Sequence, residues 1–424
     1  MYAYLLFPSS ACRLKVPTMN APLPNATLQS VTAADLAALP LIEKWVSFAS
    51  VSRDSNLPII EWTQARLESY GLKCSLTYDD SGKKANLWAT LPAADGESKI
   101  GGLVLSGHTD VVPVDGQPWN TDPFVAQVIG DKLYGRGVTD MKSFGATALM
   151  MVPELLKRQL KRPVHLAFSY DEEVGCIGVR RLIADMVAQG YKPAGCIVGE
   201  PTGMQVVIAH KGKHAYRTSV RGFEAHSSLT PQGVNAVEIA CEFVANLKAM
   251  HRKLVAEGPF DAIYDVPHTT IHTGIIAGGT ALNIIPRDCD ITWEIRHHHM
   301  NSPDALFAQA KAYGESLLPA MRAVAADTGI THELKSVLPG FATDADSEIA
   351  RLCFTCAGVD PATGAGKVSF GTEAALFHQA GVPTIVCGPG HIAQAHQPNE
   401  WVTLEQLAWC ERFMRRLADE ICLN

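Results

Sequence analysis

The sequence lacks both a long apolar run and a run rich in lysine and arginine. No stretch approaches the about 18 consecutive apolar residues of a membrane-spanning helix, so we expect no membrane partner. The formal net charge is −7, from 36 Lys and Arg against 43 Asp and Glu, and a chain without a basic surface does not attract a phosphate backbone. These absences argue against nucleic-acid-binding and membrane functions and favour a small-molecule partner.

Cysteine is present but lacks the repeated spacing of a disulfide or zinc framework. The 11 cysteines are scattered through 424 residues, a length that does not need disulfides to fold, so we expect reduced thiols in a cytoplasmic protein. Cys353 and Cys356 form a C-x-x-C pair. Because no second pair accompanies it, the helical periodicity around it favours two cysteines packed on one helix face over a redox or zinc site.

The amino terminus does not have the pattern of an export signal. Its short apolar stretch lacks a preceding basic region and is interrupted at Pro8, which is not typical of a secretory signal peptide. A second methionine, Met19, follows. We therefore expect residues 1–30 to form a flexible tail, part of it an upstream extension if translation starts at Met19.

From residue 31 onward, helix-like and strand-like segments alternate. This order is typical of an α/β fold with a mostly parallel sheet and helices on both faces. Over 208–337 the predicted order changes to βαββαβ, as in a ferredoxin-like α+β unit. We therefore predict a catalytic α/β domain over 31–207 and 338–424, interrupted by an inserted domain over 208–337.

Side chains with metal-binding chemistry follow several of the predicted strands. In an open α/β sheet, the carboxyl ends of the strands form the crevice where ligands bind. The side chains at these positions, with one at a helix start, are His108, Asp110, Asp140, Asp171, Glu172, Glu173, Glu200, His391 and His396. Each alone has an ordinary explanation, such as a satisfied polar residue, a helix N-cap or a solvated loop carboxylate.

Together, these histidines and carboxylates match what two divalent cations need. Two histidines and three carboxylates, one of them bridging, favour zinc, or cobalt or manganese, over calcium. A metal-bound imidazole needs its second ring N–H held by an acceptor, and Asp110 is two residues from His108. The pair Glu172 and Glu173 can divide the work, one binding metal and the other taking a proton from water.

Several short strings resemble one known family. The strings are "SGHTDVVP", "WNTDPF", "LYGRGVTDMK", "YDEEVGCIG", "GEPT" and "HSS". In this order they are similar to the di-zinc aminoacylase and glutamate carboxypeptidase family of metallopeptidases, and the resemblance runs from about residue 35 to the carboxyl terminus. It implies a catalytic domain of the zinc-peptidase type and an inserted domain that forms a homodimer.

The resemblance also implies a role for each site residue. One metal ion would be held by His108, Asp140 and Glu200. The other would be held by Asp140, Glu173 and His396, so Asp140 bridges the two. By position, Glu172 corresponds to the family's general base and Asp110 to the partner that orients His108. The peptide bond between Asp140 and Met141 is expected to be cis.

The inserted domain is expected to contribute substrate contacts. By resemblance, His226 reaches the active site of the dimer partner and stabilises the oxyanion. Asn283 and Arg296 correspond to contacts with the substrate's carbonyl and α-carboxylate, and the alternative for Arg296 is an ordinary surface strand residue. An arginine suits a carboxylate because its planar fork binds both oxygens.

The string "SFGTEAALF" offers a further candidate substrate contact. A turn at Thr372 that opens a helix can present backbone N–H groups to a carboxylate, and Glu373 can meet a cationic side chain. The alternative is a glutamate at a helix N-terminus that the helix dipole stabilises.

The resemblance also implies an activity, the hydrolysis of a linear amide. The strings "AHKG" and "GPGHIAQAHQPNEWV" indicate, within the family, deacetylation of N2-acetyl-L-ornithine to L-ornithine and acetate, a step of arginine biosynthesis. The alternatives are an aminoacylase, a dipeptidase or a succinyl-diaminopimelate desuccinylase with the same chemistry. A non-catalytic binding protein is the more distant alternative.

Overall fold

A computed structural model describes residues 31–423, so the tail predicted for residues 1–30 lies outside the described part of the chain. The helices and strands before residue 211 build the first part of a large sheet and its cover. In chain order they are α1 (Leu39–Val46), α2 (Leu57–Ser69), β1 (Cys74–Tyr78), β2 (Ala85–Leu91), β3 (Leu103–His108), β4 (Gln127–Ile129), β5 (Lys132–Tyr134), α3 (Lys142–Lys157), β6 (Val164–Ser169), α4 (Ile177–Ala188), β7 (Gly195–Val198) and β8 (Val206–His210).

The next segment forms a second sheet, which we call the inserted unit. Its elements are β9 (Gly212–Arg221), α5 (Ala236–Glu257), β10 (Thr270–Gly278), β11 (Asp288–His297), α6 (Pro303–Val324) and β12 (Gly329–Leu338). The four strands pair antiparallel in the order β10-β11-β9-β12. This order, with both helices packed on one face around Phe243 and Trp293, is the predicted ferredoxin-like arrangement.

The chain then returns to the large sheet. The remaining elements are β13 (Phe341–Ala342), α7 (Glu348–Ala357), α8 (Pro361–Gly364), β14 (Ala365–Val368), α9 (Ala374–Gln379), β15 (Thr384–Val386), β16 (Trp401–Thr403) and α10 (Leu404–Ile421). The large sheet has the order β1-β2-β6-β3-β7-β15-β8-β13, with β14 beside β8. Strands β6, β3, β7 and β15 pair parallel in the centre, while β1, β2 and β13 add antiparallel. The predicted α/β class is confirmed, and the sheet is mixed.

Helices cover both faces of the large sheet because successive apolar side chains of its strands point to opposite faces and are buried on each. In β3, Leu103 and Leu105 pack into the cluster formed with α1, α3 and α10, whereas Val104 packs with α4 and α9 on the other face. Cys353 and Cys356 both lie buried in the first cluster on α7, as the packing interpretation of that pair predicted. None of the helices within 31–423 is both long and apolar enough to cross a membrane.

The central parallel strands determine where the candidate site lies. Strands β6, β3, β7 and β15 all run in one direction, so their carboxyl ends meet at one edge of the sheet.

A small antiparallel sheet, β16-β5-β4, was not predicted, since its three-residue strands carry no clear alternation. Strand β16 pairs with β5 and leads directly into α10, which packs against α3.

Candidate metal centre

Five side chains converge at the carboxyl edge of the central strands. They form two groups that share one carboxylate, and within each group the candidate ligand atoms all lie within 4.8 Å of one another. The first group is His108, Asp140 and Glu200, and the second is Asp140, Glu173 and His396. These are the five residues proposed as metal ligands from the sequence, and Asp140 is the shared member.

The first group is buried, and two of its members come from the ends of the neighbouring parallel strands β3 and β7, while Asp140 lies just before α3. His108 ends β3, and Glu200 follows β7 by two residues. His108 Nε2 lies 3.0 Å from Asp140 Oδ1 and 3.8 Å from Glu200 Oε1. Because all three side chains are nearly inaccessible to solvent, an ion at this position would be enclosed by protein on most sides.

The second group opens toward solvent. His396 Nε2 lies 3.2 Å from Asp140 Oδ2 and 3.0 Å from Glu173 Oε2, so the two oxygens of Asp140 face different histidines. The His396 side chain is 50% exposed, while that of Glu173 is only 6% exposed. A small molecule therefore reaches this group from the His396 side.

Opposite charges shift the pKa values of the shared carboxylate and both histidines. Burial alone would raise the pKa of Asp140, but hydrogen bonds from His108 and His396 outweigh it and lower that pKa. The same contacts with Asp140 and Glu173 raise the pKa of His396 to about 10. Burial opposes a charged His108, yet Asp140 and Glu200 hold the pKa of His108 well above its ordinary value.

Glu172 lies beside the two groups without belonging to either. Burial raises the pKa of its carboxyl to about 8, and the neighbouring charge of Glu173 adds to the effect, while the His108 imidazolium opposes it. The Cys176 thiol donates a hydrogen bond to Glu172 Oε1 at 3.1 Å. A carboxyl with its pKa near neutrality can both take up and release a proton, which is what a general acid–base group requires.

Asp110 supports the site in two ways, through its backbone carbonyl and through its carboxylate. His108 Nδ1 donates to the backbone carbonyl of Asp110 at 2.9 Å, whereas the Asp110 carboxylate lies 3.6 Å away, beyond hydrogen-bonding distance. The carboxylate instead accepts from the backbone N–H groups of Glu172 and Glu173, at 3.1 and 3.3 Å, and from the Ser52 hydroxyl at 2.7 Å. Asp110 therefore orients His108 through its backbone and the loop that carries both glutamates through its side chain.

The donor set fits two divalent cations. Two imidazoles and three carboxylates supply nitrogen and oxygen ligands of the kind that zinc and similar ions accept. Glu173 Oε1 is buried and has no hydrogen-bond partner in the described part of the chain, which is unfavourable in a carboxylate unless a cation lies beside it. The arrangement of the protein atoms thus fits a pair of metal ions, with Asp140 between them.

Glu400 is a structural support of the site that the sequence interpretation missed. Its Oε1 accepts from the backbone N–H groups of Gly137, Thr139 and Asp140, at 3.1, 2.9 and 3.2 Å. Its Oε2 lies 2.7 Å from the guanidinium of Arg136, and both side chains are 1% exposed. Arg136 and Glu400 are far apart along the chain, so no local pattern indicates that they pair. The only sequence signal was that both lie in strings that resemble the family.

Among residues 31–423, no hydrogen bond or ion pair joins the three candidates of the inserted unit to the two ligand groups. His226 is exposed, and its Nδ1 contacts the Ser228 hydroxyl at 2.8 Å. The Asn283 backbone carbonyl accepts a hydrogen bond from the N–H of Ser227, the residue after His226. The Arg296 Nε donates to Glu294 at 2.8 Å, and its side chain is 37% exposed. These residues remain available for a partner molecule or a substrate.

The turn at Thr372 is hydrogen-bonded within the chain. The N–H of Thr372 donates to His210 Nε2 at 3.1 Å, and the N–H of Ala374 donates to the Thr372 hydroxyl at 3.1 Å. Glu373 is 0% exposed, and its carboxylate accepts from the hydroxyls of Ser169 and, at 3.4 Å, Ser106. Because these groups are buried and engaged within the chain, the arrangement favours the alternative of a buried glutamate at a helix N-terminus over a direct substrate contact.

Comparisons with known proteins point to one family. Residues 104–420 match the peptidase family M20/M25/M40. The chain is 33% identical over 387 residues to the acetylornithine deacetylase of Myxococcus xanthus, covering 89% of this chain and 95% of that one. It is 32% identical over 373 residues to the acetylornithine deacetylase of Proteus mirabilis, covering 87% and 91% of the two chains.

Solved structures share the fold at lower identity. Aminopeptidase PepT from Bacillus cereus superposes with a TM-score of 0.69 at 19% identity, over 91% of this chain and 98% of that one. The metallo-carboxypeptidase Sso-CP2 from Sulfolobus solfataricus, described as M20 family, gives 0.68 at 16% identity, over 90% and 98%. Both likenesses concern the fold, including the inserted unit, because they extend over nearly the whole chain.

We predict that filling the two groups with zinc releases protons. Near pH 7.5 in the metal-free chain, the raised pKa values keep His396 and His108 protonated, whereas a ligating imidazole must be neutral. The affinity for zinc should therefore rise as the pH rises from about 6 toward 9, by about tenfold per pH unit for each proton released. Calorimetric titration of chelator-treated protein, in buffers of different ionisation enthalpy, measures the release.

The matched variant in that titration is His396→Ala. It should release fewer protons than the unmodified chain and bind the second ion weakly, because one protonated ligand of the second group is gone. A binding enthalpy that does not depend on the buffer would contradict the assignment of both histidines as ligands.

We predict that Glu400→Ala is strongly destabilising. It leaves the buried Arg136 guanidinium without its carboxylate partner and the N–H groups of the Asp140 turn without an acceptor, a loss of about 3–5 kcal/mol in the free energy of unfolding. Asp419→Ala is the control, since it breaks the exposed pair with Arg158 and should lose about 1 kcal/mol or less. Urea unfolding measures both, and equal losses would show that the buried pair does not stabilise this turn.

Proposed function

The chain belongs to the peptidase family M20/M25/M40 and is a metal-dependent hydrolase of amides, and from that premise we propose that it deacetylates N2-acetyl-L-ornithine to L-ornithine and acetate. The observation that carries the proposal is the pair of ligand groups that share Asp140, with the proton-accepting Glu172 beside them. Hydrolysis of an unactivated amide requires such a metal site and a general acid–base group.

Two metal ions would supply the electrophile and the activated water of this reaction when bound. His108, Asp140 and Glu200 would hold one ion, and Asp140, Glu173 and His396 the other. We propose zinc in both positions, with cobalt as the alternative, because a mixed imidazole and carboxylate set suits these ions.

In this proposal Glu172 moves the proton. Its carboxylate takes a proton from the attacking water and then returns it to the nitrogen of the leaving amine, so that ornithine departs as a neutral amine. The loop that carries Glu172 is held by the Asp110 carboxylate and by an ion pair of 2.6 Å between Lys84 and Asp171. These contacts restrict the position of the carboxylate, which general acid–base catalysis needs.

The choice of substrate rests on the relatives. Two acetylornithine deacetylases match this chain over nearly their whole length at 32–33% identity, which supports the same substrate and a place in arginine biosynthesis. We propose Arg296 and Asn283 as contacts of the substrate's α-carboxylate and carbonyl. We also propose a cytoplasmic location, supported by ten cysteines that are all free within the described residues.

We further propose a homodimer formed by residues 208–337 as a separate dimerisation domain. Large apolar side chains of the inserted unit are exposed, among them Ile275 at 60% and Leu282 at 102%. Such side chains on one unit are typical of an interaction surface. His226 is joined by a β-bridge to Ile284, which is 39% exposed, and in the proposed dimer it contributes to the active site of the partner.

The proposed substrate predicts a ranking that steady-state kinetics can measure. The zinc-loaded protein should hydrolyse N2-acetyl-L-ornithine with a higher kcat/KM than N-acetylmethionine, succinyl-diaminopimelate or a dipeptide. Glu172→Gln should lower kcat by about 10²–10⁴-fold on each substrate, because it removes the proton carrier. Glu61→Gln changes an exposed glutamate of α2 in the same way and serves as the matched control.

Each outcome of that comparison leads to one conclusion. A preference for another acyl amino acid or a dipeptide would retain the mechanism and refute the substrate. No turnover of any of these amides by metal-loaded protein would refute the hydrolase itself and favour a binding protein.

The proposed role of His226 predicts complementation between two inactive variants. His226→Ala and Glu172→Gln should each be nearly inactive alone. After mixing and subunit exchange, about a quarter of all sites should carry both residues intact, because half of the dimers are mixed and each mixed dimer has one complete site. Recovery of about that fraction of activity supports a shared site. No recovery, despite exchange shown by labelled subunits, would place His226 outside the partner's site.

A further inference from the structure

Glu373 is a buried carboxylate that the proposed reaction does not use. It is 0% exposed and lies at the start of α9, beneath the carboxyl edge of the central strands. Its Oε1 accepts a hydrogen bond from the Ser169 hydroxyl, and its Oε2 accepts one from the Ser106 hydroxyl at 3.4 Å. Within residues 31–423, no lysine, arginine or histidine forms an ion pair with it.

The two serines belong to the strands that deliver the candidate ligands. Ser106 lies in β3, two residues before His108, and Ser169 ends β6, three residues before Glu172. In the register of these parallel strands, Ser169 lies opposite His108. One carboxylate therefore joins the two strand ends from which His108, Glu172 and Glu173 project.

The turn that carries Glu373 is hydrogen-bonded to His210. The preceding residue, Thr372, donates its N–H to His210 Nε2 at 3.1 Å, and His210 Nδ1 lies 2.9 Å from the carbonyl oxygen of Lys211. His210 is buried at the end of β8, so its ring connects that strand to the turn of Thr372 and Glu373. The backbone at Glu373 is thus anchored to the sheet independently of the hydrogen bonds between its carboxylate and the two serines.

A buried carboxylate without an ion-pair partner is unfavourable for folding, so this position calls for another explanation. A substrate contact does not explain it, because the side chain is inaccessible and both oxygens are engaged. A joint between two ligand-bearing strands does explain it, since groups behind metal ligands orient them and tune their affinity.

We propose that Glu373 is a positioning residue that acts through Ser106 and Ser169 to set the spacing between His108 and the Glu172–Glu173 loop, and hence the geometry of the metal pair. The inference rests on the proposed function, since it takes His108 and Glu173 as metal ligands. His210 supports it by fixing the turn from which Glu373 projects.

The test compares two substitutions of similar size in the full-length protein. Glu373→Met removes both acceptors, while Glu373→Gln keeps one acceptor and offers an N–H₂ group that a rotated serine hydroxyl can accept. The readouts are zinc affinity by calorimetry, the visible absorption spectrum of the cobalt-loaded protein, and kcat and KM for N2-acetyl-L-ornithine and N-acetylmethionine. The first two readouts need no substrate, so they are independent of the substrate assignment.

We expect Glu373→Met to weaken zinc binding and lower kcat by about tenfold or more each, with KM changed less than about twofold. The cobalt spectrum should shift, because it reports the coordination geometry, and the two substrates should lose activity equally. Glu373→Gln should stay within about threefold of the unmodified protein in every readout. Ser169→Ala, which removes one hydroxyl donor, should shift the same readouts in the same direction by less, and it serves if Glu373→Met does not fold.

Glu411→Met is the matched control. Glu411 lies on α10, away from the candidate ligands, and is another buried carboxylate, 6% exposed, that accepts a hydrogen bond from the backbone N–H of Ala38. This substitution should lower thermal stability and leave the cobalt spectrum and zinc affinity unchanged. The proposal is overturned if Glu373→Met has the spectrum and affinity of the unmodified protein. It is also overturned if Glu373→Gln raises KM for acetylornithine alone, which would make Glu373 a substrate ligand after all. Absence of acetylornithine turnover in the unmodified protein would refute the proposed substrate only.

Discussion

The structure of the site depends on one carboxylate shared between two imidazoles. Asp140 directs one oxygen to His108 and the other to His396, at 3.0 and 3.2 Å. Several carboxylates crowd the same crevice, and desolvation and mutual repulsion raise the pKa values of Glu172, Glu173 and Glu200. Such a concentration of buried negative charge is stable only with positive charge inside it, supplied by the imidazolium groups or by two divalent cations.

Carboxylates outside the two candidate ligand groups hold the loops that carry those groups. Glu400 accepts three backbone N–H groups of the turn ending at Asp140. The Asp110 carboxylate does the same for Glu172 and Glu173, and Glu373 spans the two serines beneath them. A carboxylate suits this purpose because it offers several acceptor sites and no donor, so adjacent N–H groups can converge on one side chain. The ligand positions are therefore determined by backbone contacts as well as by the strands.

Residue patterns predicted the main elements and the residues that meet at the site. Alternation and helical periodicity identified the central strands and most helices, and the polar residues that follow β3, β6 and β7 indicated one crevice at the sheet edge. The short sheet of β4, β5 and β16 was missed, because three-residue strands have too few positions to show a period. For the turn of Thr372 and Glu373 the sequence left a substrate contact and a helix N-terminal glutamate both open, since a sequence does not show whether a carboxylate is buried.

The sequence by itself determined the fold class, the ligand types and the family resemblance, because these follow from residue chemistry and from spacing along neighbouring positions. Only the tertiary structure decided which groups are partners across the chain, such as Arg136 with Glu400 and Ser169 with Glu373. It also decided that His108 is oriented by the backbone carbonyl of Asp110 and not by its carboxylate. The physical reason is that hydrogen bonds are directional over a few tenths of an ångström, and such distances are set only when the strands and loops pack together.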